Sequence, residues 1–136
     1  MIPTNSATDN LHFSAQPELA DFEGLAQQGY EVVVCNRPDG ETPDQPSMDQ
    51  VEQVLAAQGI KLVRYPVNPN TFPGEDLAAL GKVFDGSDGK VLAYCRTGTR
   101  CANLWVASRA PEERAAAATK ARSLGYDLSL SERLAG

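Results

Sequence analysis

Three short apolar runs, Glu31–Cys35 (EVVVC), Ile60–Val67 (IKLVRYPV) and Lys90–Tyr94 (KVLAY), alternate with stretches whose apolar residues recur at helical spacing. β-Branched and apolar runs of this length read as buried strands. Parallel strands cannot be joined by tight turns; they need a long crossover, usually a helix. The alternation therefore predicts an α/β sandwich around a mostly parallel sheet. Leu11–Ala15 reads as a further short strand. Pro17 suits the first position of a helix carrying Leu19, Phe22, Leu25 and Ala26, which Gly29 would end. Ser47 can cap a helix through Gln58, with Val51, Val54 and Leu55 on one face. Asp76–Phe84, Cys101–Ala110, Pro111–Leu124 and 128–134 carry the remaining helical patterns. Asn36–Pro46 and Asn68–Gly74 are proline-bearing loops, and Gly86–Gly89 is a turn. Residues 1–10 read as a loose lead-in to a single domain over 11–136.

The size agrees with one core, since 136 residues make one domain. With 42% hydrophobic and 22% charged residues, a wholly disordered chain is excluded. A net charge of −6 argues against broad contact with nucleic acid or anionic lipid. No apolar run approaches the roughly 18 residues that a membrane span needs. The N-terminus has neither the basic nor the apolar region of a signal peptide. Three cysteines, an odd number, do not suit a disulfide framework, so a reduced, cytoplasmic setting is expected. The cysteines and the single histidine, His12, show no metal-ligand spacing, and no nucleotide-binding glycine motif is present. No metal and no cofactor are therefore expected. The sequence leaves the oligomeric state open.

The charge is unevenly spread. Residues 1–95 carry 5 basic and 14 acidic side chains, whereas residues 96–136 carry 7 basic and 4 acidic ones. The basic third begins directly behind Cys95, where a local positive field would draw in a small anion. The segment VLAYCRTGTRCANLW explains why that matters. A buried strand ends in Cys95, a short glycine-containing loop follows, and a helix begins. In α/β sheets, sites lie beyond the C-terminal ends of strands. Backbone N–H groups of such a loop can form an anion cup, and the helix N-terminus adds free donors. A thiol there loses its proton easily and becomes a nucleophile for an oxyanion substrate. Arg100 would supply a two-pronged clamp, and Gly98 would let the loop turn tightly. Arg96, Thr97 and Thr99 complete the cup.

Together with FSAQP at 13–17, VVVCNRPDGE at 32–41 and YPV at 65–67, the segment AYCRTGTR…LW at 93–105 resembles one family. This is the beta-lactamase hydrolase-like protein, phosphatase-like domain, a set of small bacterial relatives of the protein tyrosine and dual-specificity phosphatases. The resemblance implies a protein-tyrosine-phosphatase-like three-layer α/β/α fold, with Cys95 as nucleophile and Arg100 as anion binder. It also places Arg37 and Asp39 in a loop that can face the same pocket. There Arg37 can meet the anion and Asp39 can carry a proton, or the two can simply form a turn.

The chain departs from the ordinary phosphatase pattern at three places. Four residues rather than five separate Cys95 from Arg100, a spacing similar to that of rhodanese-type sulfurtransferases. Asn68 stands where dual-specificity phosphatases usually offer an acidic Asp, leaving Asp39 or Asp76 for that role. Cys101 stands where a Ser or Thr usually follows the Arg. It is either a core cysteine or a redox partner of Cys95. Cys35 reads as core packing and His12 as strand-edge packing.

Three functions follow. The leading one is a cysteine-dependent phosphatase-like hydrolase that acts on a small phosphorylated substrate through a thiophosphoryl cysteine. The second is sulfur transfer with a persulfide on the same cysteine. The third is a non-catalytic anion-binding module.

Overall fold

Successive side chains on a strand point to opposite faces of a sheet, so a strand apolar throughout must be covered on both sides. The computed structural model, which describes residues 2–86 and 89–135, obeys this rule at its centre. The five strands are β1 (Asn5–Ser6), β2 (Leu11–Ser14), β3 (Tyr30–Cys35), β4 (Lys61–Arg64) and β5 (Lys90–Tyr94). They lie in the order β1-β2-β5-β3-β4, parallel except for the antiparallel β1–β2 pair. Val33, Cys35, Leu92 and Tyr94 face one core, and Val34, Val91, Ala93 and Phe13 face the other.

The first core is closed by α1 (Met48–Ala56), which buries Met48, Val51 and Leu55 beside Phe22 and Leu25. Ser47 caps α1 reciprocally: Gln50 N–H donates to Ser47 Oγ at 3.1 Å, and Ser47 N–H donates to Gln50 Oε1 at 2.9 Å. The second core is closed by α2 (Leu77–Asp85), α3 (Thr99–Ser108), α4 (Arg114–Ser123) and α5 (Ser129–Ala135). Of these, α3 is the most enclosed, with Cys101 through Val106 all buried. The result is the three-layer, mostly parallel α/β sandwich expected from the sequence. No helix is long and apolar enough to cross a membrane, among the described residues.

Several boundaries differ from expectation for identifiable reasons. The segment after Pro17 forms two 3-10 turns, Leu19–Gly24 and Ala26–Gln28, not an α-helix. Residues three apart eclipse in a 3-10 turn, which aligns Phe22 and Leu25, both fully buried. β4 stops at Arg64, short of the expected Val67, because Pro66 has no N–H to give the ladder. The chain still tracks β3, with Tyr65 N–H on Cys35 O at 2.9 Å and Val67 N–H on Asn36 O at 3.2 Å. The lead-in is not loose over its length. It forms β1, buries Ile2 and Ala7, and anchors Asn5 Nδ2 on Tyr126 Oη at 2.9 Å. Residues 87 and 88 of the expected Gly86–Gly89 turn lie outside the described residues.

Candidate active site

β5 lies between β2 and β3, so its C-terminal end opens at the middle of the sheet edge. Cys95 follows immediately and is fully buried. The loop after it is held from the side by Gln16, whose N–H donates to Arg96 O at 3.2 Å. Gly98 closes the loop with φ +90° and caps α3. Its N–H donates to Cys95 Sγ at 3.1 Å. Glycine is required here twice over: for its left-handed conformation, and because a Cβ would stand 2.9 Å from Tyr126 Oη. Thr97 and Thr99 pair through their hydroxyls at 3.0 Å.

The start of α3 is fixed from below by Asn103. Its Nδ2 donates to Thr99 O and to Asp127 O, both at 2.8 Å, and its Oδ1 accepts Ser131 N–H at 2.9 Å. A fully buried asparagine must be satisfied in this way, and here the satisfaction ties the start of α3 to α5. Sequence reasoning missed Asn103; its signal was a lone amide inside the apolar run CANLWVA.

Electrostatically the loop activates Cys95. Its thiol is pulled down to about 6, first by a hydrogen bond from the Cys101 side chain and then, against the effect of burial, by backbone N–H groups of Cys101, Thr97 and Arg100. Cys101 itself is pushed well up by burial and by the neighbouring sulfur, so it stays protonated and donates. Cys35 behaves as a core thiol: burial raises its pKa, and its sulfur donates to Arg37 O at 3.3 Å. His12 lies on β2 between its partners Ser6 and Leu92, with Nδ1 2.8 Å from Tyr30 Oη.

Arg100 reaches toward the loop after β3. Its Nη1 and Nη2 donate to the two oxygens of Glu41, each at 2.8 Å, and Nη1 also donates to Val67 O at 3.0 Å. Glu41 in turn accepts from Arg37 Nε at 3.0 Å. Arg37 is only 4% exposed, and its other nitrogens donate to Gln16 Oε1 at 3.0 Å and Thr42 Oγ1 at 3.3 Å. Arg37 is thus a brace for Glu41 more than a free anion donor. The bidentate carboxylate holds the Arg100 guanidinium in a defined plane. Arg100 and then Arg37 hold the Glu41 carboxyl below the usual range. Glu41 is the residue that sequence reading overlooked, although NRPDGE offered the signal: an acid four positions after a buried arginine.

The other carboxylates have local duties. Asp39 Oδ1 accepts Met48 N–H at 2.9 Å at the start of α1. Asp76 Oδ1 accepts Ala79 N–H at 3.1 Å and caps α2. Asn68 Oδ1 closes its own turn by accepting Asn70 N–H at 2.8 Å and Thr71 N–H at 3.0 Å. Arg96 is exposed and borders a cleft of about 520 Å3, shared with Gln16, Pro17, Leu19, Arg37 and Thr42.

Residues 4–112 match the profile of the family described as beta-lactamase hydrolase-like protein, phosphatase-like domain. The beta-lactamase hydrolase-like protein of Agrobacterium fabrum is 31% identical over 128 residues, which is 92% of this chain and 30% of that protein. That of Xylella fastidiosa is 31% identical over 100 residues, 74% of this chain and 23% of that protein. The chain therefore spans less than a third of these relatives. Among solved structures, a Neisseria meningitidis protein described as a "putative phosphatase" is similar with a TM-score of 0.75 and 33% identity, covering 95% of this chain and 94% of that one. The active form of Tk-PTP is similar in fold, with a TM-score of 0.72 at 22% identity over 96% of this chain and 91% of that one.

Proposed function

Because the chain belongs to the beta-lactamase hydrolase-like protein, phosphatase-like domain family, we propose that it hydrolyses a phosphate ester with Cys95 as nucleophile. One observation carries the reading: a buried cysteine sulfur accepting Gly98 N–H at 3.1 Å, directly before a helix whose first turn carries an arginine that Glu41 holds in place. The Cys95 thiolate attacks phosphorus. Backbone N–H groups of the loop and the Arg100 guanidinium stabilise the charge on the non-bridging oxygens, which is most of what phosphoryl transfer requires. The leaving group departs, a thiophosphoryl cysteine remains, and water releases phosphate.

Proton delivery to the leaving group is the weaker half of the site. Glu41 touches Arg100, but its ion pairs keep it ionised and unfit as an acid. Asp39 lies two residues before Glu41 and uses one carboxylate oxygen on Met48 N–H. We assign the proton to Asp39 or to solvent. The distinction is readable, because Asp39→Asn slows an alkyl phosphate much more than an aryl phosphate only if Asp39 is the acid.

The test of the main reading is Cys95→Ser assayed with p-nitrophenyl phosphate. Turnover should fall by about 10^3-fold or more, with inorganic phosphate still binding. A variant that kept substantial turnover would overturn the assignment.

A second reading is supported by Asn68, whose side chain serves its own turn and offers no acid. Transfer of a sulfane sulfur to Cys95 needs none, because sulfite leaves as a stabilised anion. Incubation of reduced protein with thiosulfate would then add one sulfur to the wild type and none to Cys95→Ser.

A further inference from the structure

The cleft of about 520 Å3 that Arg96 borders adjoins the Cys95 loop. Its wall on that side is fixed, because Gln16 N–H holds Arg96 O at 3.2 Å. Gln16, Arg37, Thr42, Gln45 and Arg96 give it a polar lining, and among the described residues no aromatic ring faces it. A flat aryl leaving group would find no stacking partner there.

Two arginines mark the cleft, and both have donors to spare. Arg37 is only 4% exposed, so its guanidinium is withdrawn from water. A guanidinium carries five N–H groups. Among the described residues, three of them are engaged: Nε on Glu41, Nη1 on Gln16 and Nη2 on Thr42. One N–H on each of Nη1 and Nη2 is left over, and a buried charged donor without an acceptor is costly. Arg96 is exposed and enters no ion pair among the described residues. The charges do not balance locally. Arg37 and Arg100 share the single carboxylate of Glu41, which leaves one positive charge in excess, and Arg96 adds a second. Glu18 and Asp44 also line the cleft, but both are exposed, where water and salt screen them, whereas Arg37 acts from the buried wall.

We propose that this cleft takes a second anionic group of the substrate, a carboxylate or another phosphate, while the ester phosphate sits over Cys95. The substrate class is then a small, non-aromatic phosphate ester that bears a further acid. The inference rests on the reading of Cys95 as nucleophile toward a phosphate ester and adds the class of ester. Arg37 and Arg96 are specificity residues in this scheme. Arg37 braces Glu41 with one edge and offers its spare donors to the second anion, and Arg96 closes on the same group from the loop. The chain as a whole carries a net charge of −6, so its overall field does not favour a more highly charged anion. A preference for one must come from these local cations.

The experiment compares two matched pairs: 3-phosphoglycerate against glycerol 3-phosphate, and fructose 1,6-bisphosphate against fructose 6-phosphate. The first pair tests a carboxylate as the second anion, the second pair a phosphate. Each compound is titrated for its ability to protect native Cys95 from iodoacetamide, a readout that needs no turnover. In at least one pair, the doubly acidic compound should protect at an at least about tenfold lower concentration. In Arg96→Gln that ratio should fall to about threefold or less. Both wild-type ratios below about tenfold would overturn the inference, as would a ratio unchanged in Arg96→Gln or a Cys95 that none of the four compounds protects. Turnover of p-nitrophenyl phosphate by the same wild-type sample separates the two readings. Turnover without the preference removes the second-anion cleft and leaves the hydrolase standing. The preference without turnover of any ester supports the cleft and removes the hydrolase.

Discussion

At the residue scale, the proposed chemistry turns on a single sulfur, and its neighbours set its acidity. Alkylation of native Cys95 should rise with pH and reach half its plateau near pH 6, because only the thiolate reacts and its pKa is about 6. Cys101→Ala removes the hydrogen bond that contributes most to that value. The midpoint of the same alkylation profile should then move up; an unmoved midpoint would show that the backbone donors suffice. Glu41 acts at one remove. In the proposed mechanism it touches Arg100 rather than substrate, which makes it a positioning residue. Glu41→Gln keeps the shape and loses the charge. We expect kcat to fall by about tenfold, with KM unchanged or lower because a freer guanidinium still attracts an anion. A rise in KM at constant kcat would instead place Glu41 in substrate binding.

At the scale of elements, the decisive unit is strand, loop and helix: β5, residues 95–98 and α3. β5 is short and apolar on both faces, which places its end inside the molecule instead of on an open surface. α3 begins at Thr99, two residues earlier than its apolar pattern indicates, because Gly98 supplies the left-handed cap. Gly98→Ala should therefore destabilise the protein by about 1–2 kcal/mol from the left-handed backbone alone, and by more from the contact with Tyr126. Urea denaturation measures the loss, and phosphate binding should weaken in parallel as the loop opens. Helix boundaries were legible wherever a side chain makes the cap, as at Ser47 and Asp76. They were less legible where backbone conformation makes it. The 3-10 turns around Phe22 are not legible in the sequence because residues spaced i and i+3 fit both kinds of helix over so short a segment.

The whole molecule joins segments that are far apart in sequence. Arg100 and Glu41 connect the loop after β5 to the loop after β3, and Gln16 connects both to the segment after β2. The Glu41 carboxyl titrates below its ordinary value in the folded state. Its contribution to stability is then complete above the unfolded carboxylate pKa of about 4.3 and is lost as pH falls through the lower folded value. The stability difference between wild type and Glu41→Gln should be constant from neutral pH to about 5 and shrink below about 4.3. A difference that grew toward acid would contradict this sign. The N-terminal segment is part of the same body. Removing residues 1–7 takes away buried Ile2, worth about 1.5–3 kcal/mol, together with the Asn5–Tyr126 contact. A lower melting temperature should follow, where a loose lead-in would have given no change.

Local chemistry was written in the sequence. The runs EVVVC and KVLAY fix buried strands by composition, and a cysteine at a strand end before a glycine loop implies an anion cup because backbone donors gather there regardless of the surroundings. Pairings across the chain were not. Nothing local says that Arg37 turns inward to brace Glu41, that Glu41 holds Arg100 across 59 positions, or that Asn103 ties the start of α3 to α5. Charged and amide side chains can satisfy themselves in water or with several partners. Only the packed structure, which removes water and leaves each buried group one geometry for its hydrogen bonds, decides which partner each takes.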